Sequence, residues 1–236
     1  MVKTLVDRKP KDRFHGLIYG DSGAGKTHLI GTFPSPYIID TDFGLDTLAG
    51  KDIEYEEYYA RIGQEGASEA WPAVLDKAEE FVKNPPRDTL AIDSLTTLFD
   101  SVIAYVLNKA KRNVLQIQDY MTIYDEITTL IVKLRKVPCH VLVTAHEEVY
   151  RDELSGRINY RPLVIGNKFS PKLPIFFNNI YNIVVDIPKK GDRVADRRLL
   201  VQPDGQRLAK TQSDLRPDEI KIEKNFDAIM AHIGGK

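Results

Sequence analysis

The sequence predicts an α/β fold in which a mainly parallel central sheet is flanked by helices and followed by a C-terminal β-hairpin. Short apolar runs alternate with longer segments of helical spacing along most of the 236 residues. Several of these runs end in a polar or acidic residue, as strands do where their carboxyl ends border a ligand site. The length and a hydrophobic content of 42% suit one compact domain. We expect that domain over residues 14–236, after a basic arm at residues 1–13.

In the first half of the chain, apolar runs of about five residues mark strands, and prolines and glycines mark where elements end. Proline closes a helix because it lacks the amide hydrogen and clashes with the preceding turn. The predicted elements are a strand at 15–19, a helix from Lys26 to near Pro34, a strand at 36–40, a helix at 68–83 and a strand at 89–93.

In the second half, apolar residues recur at helical spacing between about residues 120 and 136, and Pro138 closes that helix before the next strand. Residues 146–172 are polar and irregular, and a loop of this length in a compact domain is usually functional or mobile. The predicted elements are helices at 95–111 and 120–136, a strand at 139–145, the loop at 146–172, a hairpin of 182–187 with 198–202, and a helix at 218–233.

The composition limits the classes of partner. Lysine and arginine number 33 against 34 acids, for a net charge of −1, so no global charge attracts nucleic acid or anionic membranes. Any DNA site must then be a local patch. The single Cys139 excludes an intrachain disulfide framework. With no segment of membrane-spanning length and no visible export signal, we expect a cytoplasmic protein without membrane association.

The segment Gly20 to Thr27, GDSGAGKT, matches the pattern G-x-x-x-x-G-K-[ST] between a predicted strand and a predicted helix. Glycines let consecutive backbone amides point at phosphate oxygens. Lys26 is expected to reach the β- and γ-phosphates of ATP. The predicted nucleotide-binding residues are Gly20, Asp21, Ser22, Gly23, Ala24, Gly25, Lys26, Thr27 and His28.

Two oxygen donors are predicted to hold Mg²⁺ beside this loop. The hydroxyl of Thr27 is one, and the carboxylate of Asp93, at the end of the apolar strand Leu90-Ala91-Ile92, is the other. Magnesium takes few protein ligands and keeps several waters, so two donors are sufficient. An aspartate at a strand end can also be a helix cap, and the upstream loop is what favours the metal role.

Two further strand ends supply candidate catalytic groups. Asp40 and Asp42 follow the second strand, and either carboxylate could orient or deprotonate the water that attacks the γ-phosphate. His146 ends the strand Val141-Leu142-Val143-Thr144-Ala145 and is a candidate sensor of the γ-phosphate. The predicted catalytic set therefore joins Lys26, Asp93, His146 and one of Asp40 and Asp42 at one edge of the sheet.

The segments GDSGAGKT, IIDTDFGLD, LAIDSLTTL and LVTAH occur in the order of the phosphate loop, the second-strand carboxylate, the magnesium aspartate and the sensor of RecA-like recombinases. The chain resembles that superfamily over about residues 14–211. Its length, and Gly166-Asn167-Lys168 before Leu173-Pro174, resemble the small bacteriophage RecA-like ATPases of single-strand annealing. The resemblance implies that Asp42 stands for the catalytic glutamate and His146 for the sensor glutamine.

The resemblance also implies a homo-oligomer, either ring or filament, in which a basic residue of one subunit completes the neighbouring ATP site. Lys210, after the predicted hairpin, occupies that place. The loop after His146 corresponds to a DNA loop of the superfamily, and it interleaves cations with aromatics in a manner suited to phosphate contacts and base stacking. The predicted DNA-binding residues are Arg151, Arg157, Tyr160, Arg161, Lys168 and Phe169.

The function predicted from these observations is a DNA-dependent ATPase that binds single-stranded DNA and promotes annealing or homologous recombination. A single-strand-binding protein is a candidate partner. Two alternatives stay open. One is another P-loop enzyme such as a nucleotide kinase, which would need an arginine-rich lid over a second nucleotide. The other is an ATP-switched DNA clamp with little hydrolysis, because Asp42 is one methylene shorter than glutamate.

Overall fold

The structure, a computed structural model, describes residues 12–58, 63, 66, 68–166, 169–186, 195–212 and 220–234. Apart from residues 12 and 13, the predicted arm lies outside these ranges. The strands are β1 His15–Gly20, β2 Pro36–Asp40, β3 Glu54–Glu57, β4 Thr89–Asp93, β5 His140–Arg151, β6 Ile158–Pro162, β7 Asn179–Val185, β8 Arg197–Leu200 and β9 Lys221–Glu223. The α-helices are α1 Lys26–Ile30, α2 Ala70–Lys83, α3 Leu95–Lys109, α4 Asp119–Leu134, α5 Leu173–Phe176 and α6 Phe226–Gly234.

The described strands form one sheet in the order β3-β2-β4-β5-β1-β7-β8-β9, with β6 paired to β5 outside this row. Strands β3, β2, β4, β5, β1 and β7 run parallel, whereas β8 and β9 are antiparallel additions at one edge. Parallel neighbours need crossover connections, which the intervening helices supply. The predicted α/β fold, with its mainly parallel sheet and a C-terminal antiparallel pair, is confirmed.

Both faces of the sheet are covered by helices, so its central strands are buried on both sides. In β1, Leu17 and Tyr19 belong to the core shared with α2, α3 and α4, while Ile18 belongs to the core shared with α1 and α6. All three side chains are 0% exposed. This two-sided burial holds β1, and with it the segment that follows Gly20, at a defined place in the sheet.

The prediction of a long loop over residues 146–172 is wrong. Strand β5 continues to Arg151, past the carboxyl ends of the neighbouring strands β4 and β1. There it pairs with β6 in an antiparallel β-hairpin. Both faces of this two-stranded ribbon carry polar residues, so the alternation that marks a half-buried strand is weak in its sequence. Backbone pairing, and not burial, therefore defines this segment.

The predicted C-terminal helix is only partly correct. Strand β9 precedes α6 and extends the sheet beside β8. With three residues, Lys221–Glu223 is too short to show a period of two, and the charged residues at its ends resemble the surface of a helix. The turn predicted between β7 and β8 falls mostly in residues 187–194, outside the described ranges.

Candidate nucleotide-binding site

The segment between β1 and α1 forms a loop around the ammonium group of Lys26. Gly23 and Gly25 have φ angles of 76° and 92°, in the left-handed region that side chains disfavour. Nζ of Lys26 donates hydrogen bonds to the carbonyl oxygens of Gly20, at 3.1 Å, and Asp21, at 3.0 Å. The side chain is 6% exposed, and its burial lowers the pKa of Lys26. A buried cation held by uncharged acceptors is suited to binding an anion.

Thr27 and Asp93 meet beside this loop. Oγ1 of Thr27 donates to Oδ2 of Asp93 at 2.7 Å, and Oγ1 of Thr144, from β5, donates to the other carboxylate oxygen. Burial raises the pKa of Asp93, and the hydrogen bonds from Thr144 and Thr27 act against that rise. The two groups predicted to hold Mg²⁺ are therefore adjacent, on the loop and on the end of β4.

Asp42 and His146 form a second polar pair in the same pocket. Nε2 of His146 lies 2.9 Å from Oδ2 of Asp42, and Nδ1 lies 3.5 Å from Nζ of Lys26. A lysine ammonium has only donors, so Nδ1 is assigned as the acceptor and Nε2–H as the donor to Asp42. The three groups form a row from the carboxylate to the cation.

The carboxylate of Asp42 also accepts hydrogen bonds from two hydroxyl groups at the N-terminus of α3, directly after β4. Oγ1 of Thr97 lies 2.6 Å and Oγ of Ser94 lies 3.1 Å from Oδ1 of Asp42. Burial alone would raise the pKa of Asp42, but the hydrogen bonds from His146, Thr97 and Ser94 outweigh it, and the pKa is lowered. Asp42 is thus held ionised in a fixed orientation.

Asp40 has a different place from Asp42. Its Oδ1 accepts hydrogen bonds from the backbone amides of Asp42 and Phe43, both at 3.0 Å, and the residue is 1% exposed. Burial raises its pKa. Asp42 lies beyond the end of β2, in the turn, so strand alternation does not relate the two side chains. Asp40 shapes the turn, and Asp42 faces the pocket.

These groups line a pocket of about 440 Å³, within the size range of small-molecule sites. Its lining residues are Ser22, Gly23, Gly25, Lys26, Thr27, His28, Asp42, Gly44, Thr47 and His146. Three features fit a nucleoside triphosphate with Mg²⁺: two glycines at positive φ, a buried cation that forms no ion pair with a carboxylate of the described residues, and the convergence of Thr27 with Asp93. When bound, the metal would neutralise phosphate charge.

The residues that support the site were not predicted from the sequence. Ser94, Thr97 and Thr144 hold the two carboxylates, and Gly44 and Thr47 line the pocket. A signal existed for Ser94 and Thr97, since both follow Asp93 at the start of α3, where hydroxyl residues commonly cap helices. Nothing local indicates that these hydroxyls bind Asp42, because more than fifty residues separate them in the chain.

Lys210 does not reach the pocket of its own chain. Its Nζ donates to the carbonyl oxygens of Pro174 and Phe177, and its backbone pairs with Ile180 in an isolated bridge. In this conformation the ammonium group closes the end of α5. Its predicted role in a neighbouring subunit stays a prediction.

The residues predicted to bind DNA are divided by the structure. Arg151 and Arg157 are exposed on the β5–β6 hairpin, and Tyr160 and Arg161 line a groove at its base. The prediction that Phe169 stacks on bases is wrong for this conformation, because the side chain is 1% exposed and packs against Tyr124 with ring centroids 5.1 Å apart. Lys168 lies outside the described residues.

Together, the parallel sheet, the glycine loop with its buried lysine and the paired Thr27 and Asp93 define a P-loop nucleotide-binding protein. The family model described as "AAA domain" matches residues 13–214, and the chain belongs to this family. Family membership indicates ATPase activity and nucleotide binding, usually with Mg²⁺. No curated protein matches the chain. Within the described part of the chain, none of the helices combines the length and apolar character needed to cross a membrane.

Proposed function

We propose that the chain is a recombinase-type ATPase that binds single-stranded DNA along the β5–β6 hairpin and promotes annealing under the control of bound ATP. The observation that carries the proposal is the continuity of β5. The same strand supplies His146 to the ATP pocket and then runs to Arg151 in the hairpin. At a rise of about 3.4 Å per residue, the two groups are roughly 17 Å apart along one strand.

The groove at the base of the hairpin has the chemistry of a base-stacking site. Its volume is about 440 Å³. The guanidinium group of Arg161 lies 4.3 Å from the ring centroid of Tyr150, and that of Arg207 lies 4.3 Å from the ring of Tyr160. Aromatic rings and arginine planes accept bases of any sequence. This composition supports a binder of single strands without sequence preference.

Three of the four acids of the hairpin are engaged in contacts within the protein, and the fourth, Glu153, is exposed at the tip. Glu148 pairs with Arg161 at 2.7 Å, Asp152 accepts hydrogen bonds from Ser155 in the turn, and Glu147 accepts one from Asn182. Arg151 and Arg157 stay exposed near the tip. The cations that a phosphate backbone would meet first are therefore those of the tip.

A hydrogen-bonded contact joins the groove to the phosphate loop. The hydroxyl of Tyr19, the residue before Gly20, donates to the backbone oxygens of Leu208, at 2.8 Å, and Tyr160, at 3.2 Å. Leu208 and Tyr160 both line the groove. If the groove moves when it binds a DNA strand, these hydrogen bonds would transmit the movement to Tyr19, the residue before the phosphate loop.

Assembly into a ring or filament, and cooperation with a single-strand-binding protein, are part of the proposal and rest on the resemblance to RecA-like annealing proteins. For Lys210 to act on a neighbouring ATP, its ammonium group would first have to leave the carbonyls of Pro174 and Phe177. Light scattering with and without ATP and single-stranded DNA measures the assembly directly.

The test measures DNA binding, strand annealing and ATP hydrolysis for the wild type, a double variant Arg151→Ala/Arg157→Ala, and Arg198→Ala as the matched control. Arg198 is a cation of β8 paired with Asp196 at 3.1 Å. We expect the double variant to bind single-stranded DNA roughly tenfold or more weakly. Loss of two phosphate contacts should also make the slope of log affinity against log salt less steep by about 1.4.

Unchanged DNA affinity in the double variant would contradict the proposal that single-stranded DNA binds along the hairpin. DNA-independent transfer of phosphate to a nucleoside monophosphate would favour a nucleotide kinase. Annealing that persists in Lys26→Ala would mean that ATP does not control the DNA-binding form.

A second candidate, an ATP-switched clamp with slow hydrolysis, is favoured by the environment of Asp42. Its carboxylate accepts three hydrogen bonds within the protein, and its lowered pKa makes it a weak base toward water. Such a protein would bind DNA when ATP is bound and release it slowly. Turnover much slower than DNA dissociation from the ADP form would support the clamp.

A further inference from the structure

We propose that Lys224 and Arg197 complete the nucleotide site within the same chain, by binding the α-phosphate and nucleoside end of the nucleotide. Neither residue belongs to the phosphate-loop motif. Lys224 follows β9, beyond the residues matched by the family model, and Arg197 begins β8. The antiparallel edge of the sheet brings both to the loop.

The two side chains converge on Gly25. Nζ of Lys224 donates to the carbonyl oxygen of Gly25 at 3.2 Å. A Cβ atom at Gly25 would lie 2.9 Å from that Nζ and 3.8 Å from Cδ of Arg197. Glycine is favoured at position 25 by its φ of 92°, and a Cβ atom there would displace the ammonium group of Lys224. The two cations lie directly beside the backbone that receives the phosphates.

Lys224 is held in this place by the residues around it. The backbone amide of Phe226 donates to Oγ1 of Thr32 at 3.1 Å, and the rings of Phe226 and Phe33 have centroids 4.9 Å apart. Both contacts join the segment after β9 to the end of α1. Lys224 is therefore fixed over the loop on a short, anchored connection.

The charges here are unbalanced. In the part of the chain that the structure describes, Lys224 bonds only to a backbone carbonyl and the Arg197 side chain makes no hydrogen bond or ion pair. Burial and the neighbouring Arg197 lower the pKa of Lys224. Grouped cations without an acid are unfavourable unless an anion binds among them.

The residues that line the pocket define the orientation of a bound nucleotide. Asp42 and His146 face the end where water would attack, so that end takes the γ-phosphate. Gly25 and His28 also line the pocket, and they belong to the P-loop backbone that receives the α- and β-phosphates. The α-phosphate is common to ATP and ADP, so these cations should contribute equally to the binding of both.

The test titrates the full-length protein with fluorescent analogues of ATP and ADP. We expect Lys224→Met/Arg197→Gln to weaken both nucleotides by the same factor, roughly tenfold or more, since two charge-assisted contacts are lost. Lys221→Met is the matched control, because Lys221 lies on β9, is exposed, and pairs with Asp186. We expect wild-type affinities from it.

Thermal unfolding without nucleotide separates this role from a structural one. If the cations serve the nucleotide, removing them relieves repulsion, and the midpoint of the double variant should be unchanged or higher. Affinity within twofold of the wild type would overturn the proposal, as would a loss confined to ATP. A third outcome would also overturn the proposal, namely a lowered unfolding midpoint in the double variant together with wild-type affinity in the single variant Arg197→Gln. Lys224 would then stabilise the fold and not bind the nucleotide.

Discussion

The nucleotide pocket and the β5–β6 hairpin use charged side chains in opposite ways. In the pocket, Lys26 and Asp93 are 6% and 1% exposed and bond to carbonyls or hydroxyls. On the hairpin, Arg161 lies over a tyrosine ring and pairs with a glutamate at the surface. The pocket groups are fixed in place before a ligand arrives, whereas Arg151 and Arg157 at the tip of the hairpin are exposed to solvent.

This difference predicts how each region responds to substitution. Removing one member of a buried network leaves its partners without hydrogen bonds, which costs more than the bond itself contributes. Removing a surface contact lets water take its place, so the cost is small. Effects on catalysis should therefore be large in the pocket, and effects on stability should be small at the hairpin.

The largest effect is expected for Lys26→Ala. Loss of the cation beside the phosphates should lower the rate of ATP hydrolysis by roughly 10²-fold or more, measured as phosphate release. Lys172→Ala, at an exposed position, is the control. Retention of more than about a tenth of the wild-type rate would show that the buried ammonium group is not essential to the pocket.

Asp42→Asn comes next. The amide cannot accept a proton from water, so kcat should fall by roughly 10²-fold while nucleotide affinity changes by less than about threefold. Steady-state rates and nucleotide titration measure the two effects separately. Asp46→Asn, an exposed position four residues along, should behave as the wild type. An equal loss of affinity and rate would instead place Asp42 in nucleotide binding.

Thr97→Val tests the ionisation of Asp42 through the pH dependence of activity. The hydrogen bond from Thr97 helps to lower the pKa of Asp42, and the carboxylate must be ionised to act on water. Without that bond the pKa rises, so activity should begin to fall at a higher pH than in the wild type as the solution is acidified. If kcat falls at the same acidic pH in Thr97→Val as in the wild type, Thr97 does not have this role.

The smallest effect is expected at the groove. Arg207→Gln removes a contact with the ring of Tyr160 and an ion pair with Asp204, both near the surface. The free energy of unfolding should fall by less than about 1 kcal/mol, measured by urea denaturation. A loss of several kcal/mol would mean that the groove, like the pocket, is a preorganised buried network.

Short motifs and strand ends were predicted well. The phosphate loop, and the position of Asp93 at the end of β4, depend on local backbone geometry that glycine, lysine and apolar runs specify directly. His146 lies where β5 leaves its parallel pairing with β1, but the strand does not end there as predicted and continues to Arg151. Which of Asp40 and Asp42 faces the pocket was left open, because it depends on the turn that Asp40 caps after β2. The hydroxyl groups that hold Asp42 were missed for a similar reason.

The two wrong predictions beyond the sheet have different causes. Residues 146–172 look like a loop because the hairpin of β5 and β6, although its strands are close in the sequence, lacks a hydrophobic period. Phe169 looks like a stacking residue because its neighbours are polar and basic, yet it packs into the core against Tyr124. Only in the second case does the deciding contact come from a segment that is distant in the sequence.

By itself, the sequence determined the α/β class, the glycine loop and the carboxylates at its strand ends, because those features arise from periodicity and from residues adjacent in the chain. Only the tertiary structure decided which side chains meet in the pocket, from the hydroxyl of Thr97 on Asp42 to Lys224 on Gly25, 199 residues away. Contacts of that range are made by the order of strands in the sheet, which no local pattern encodes.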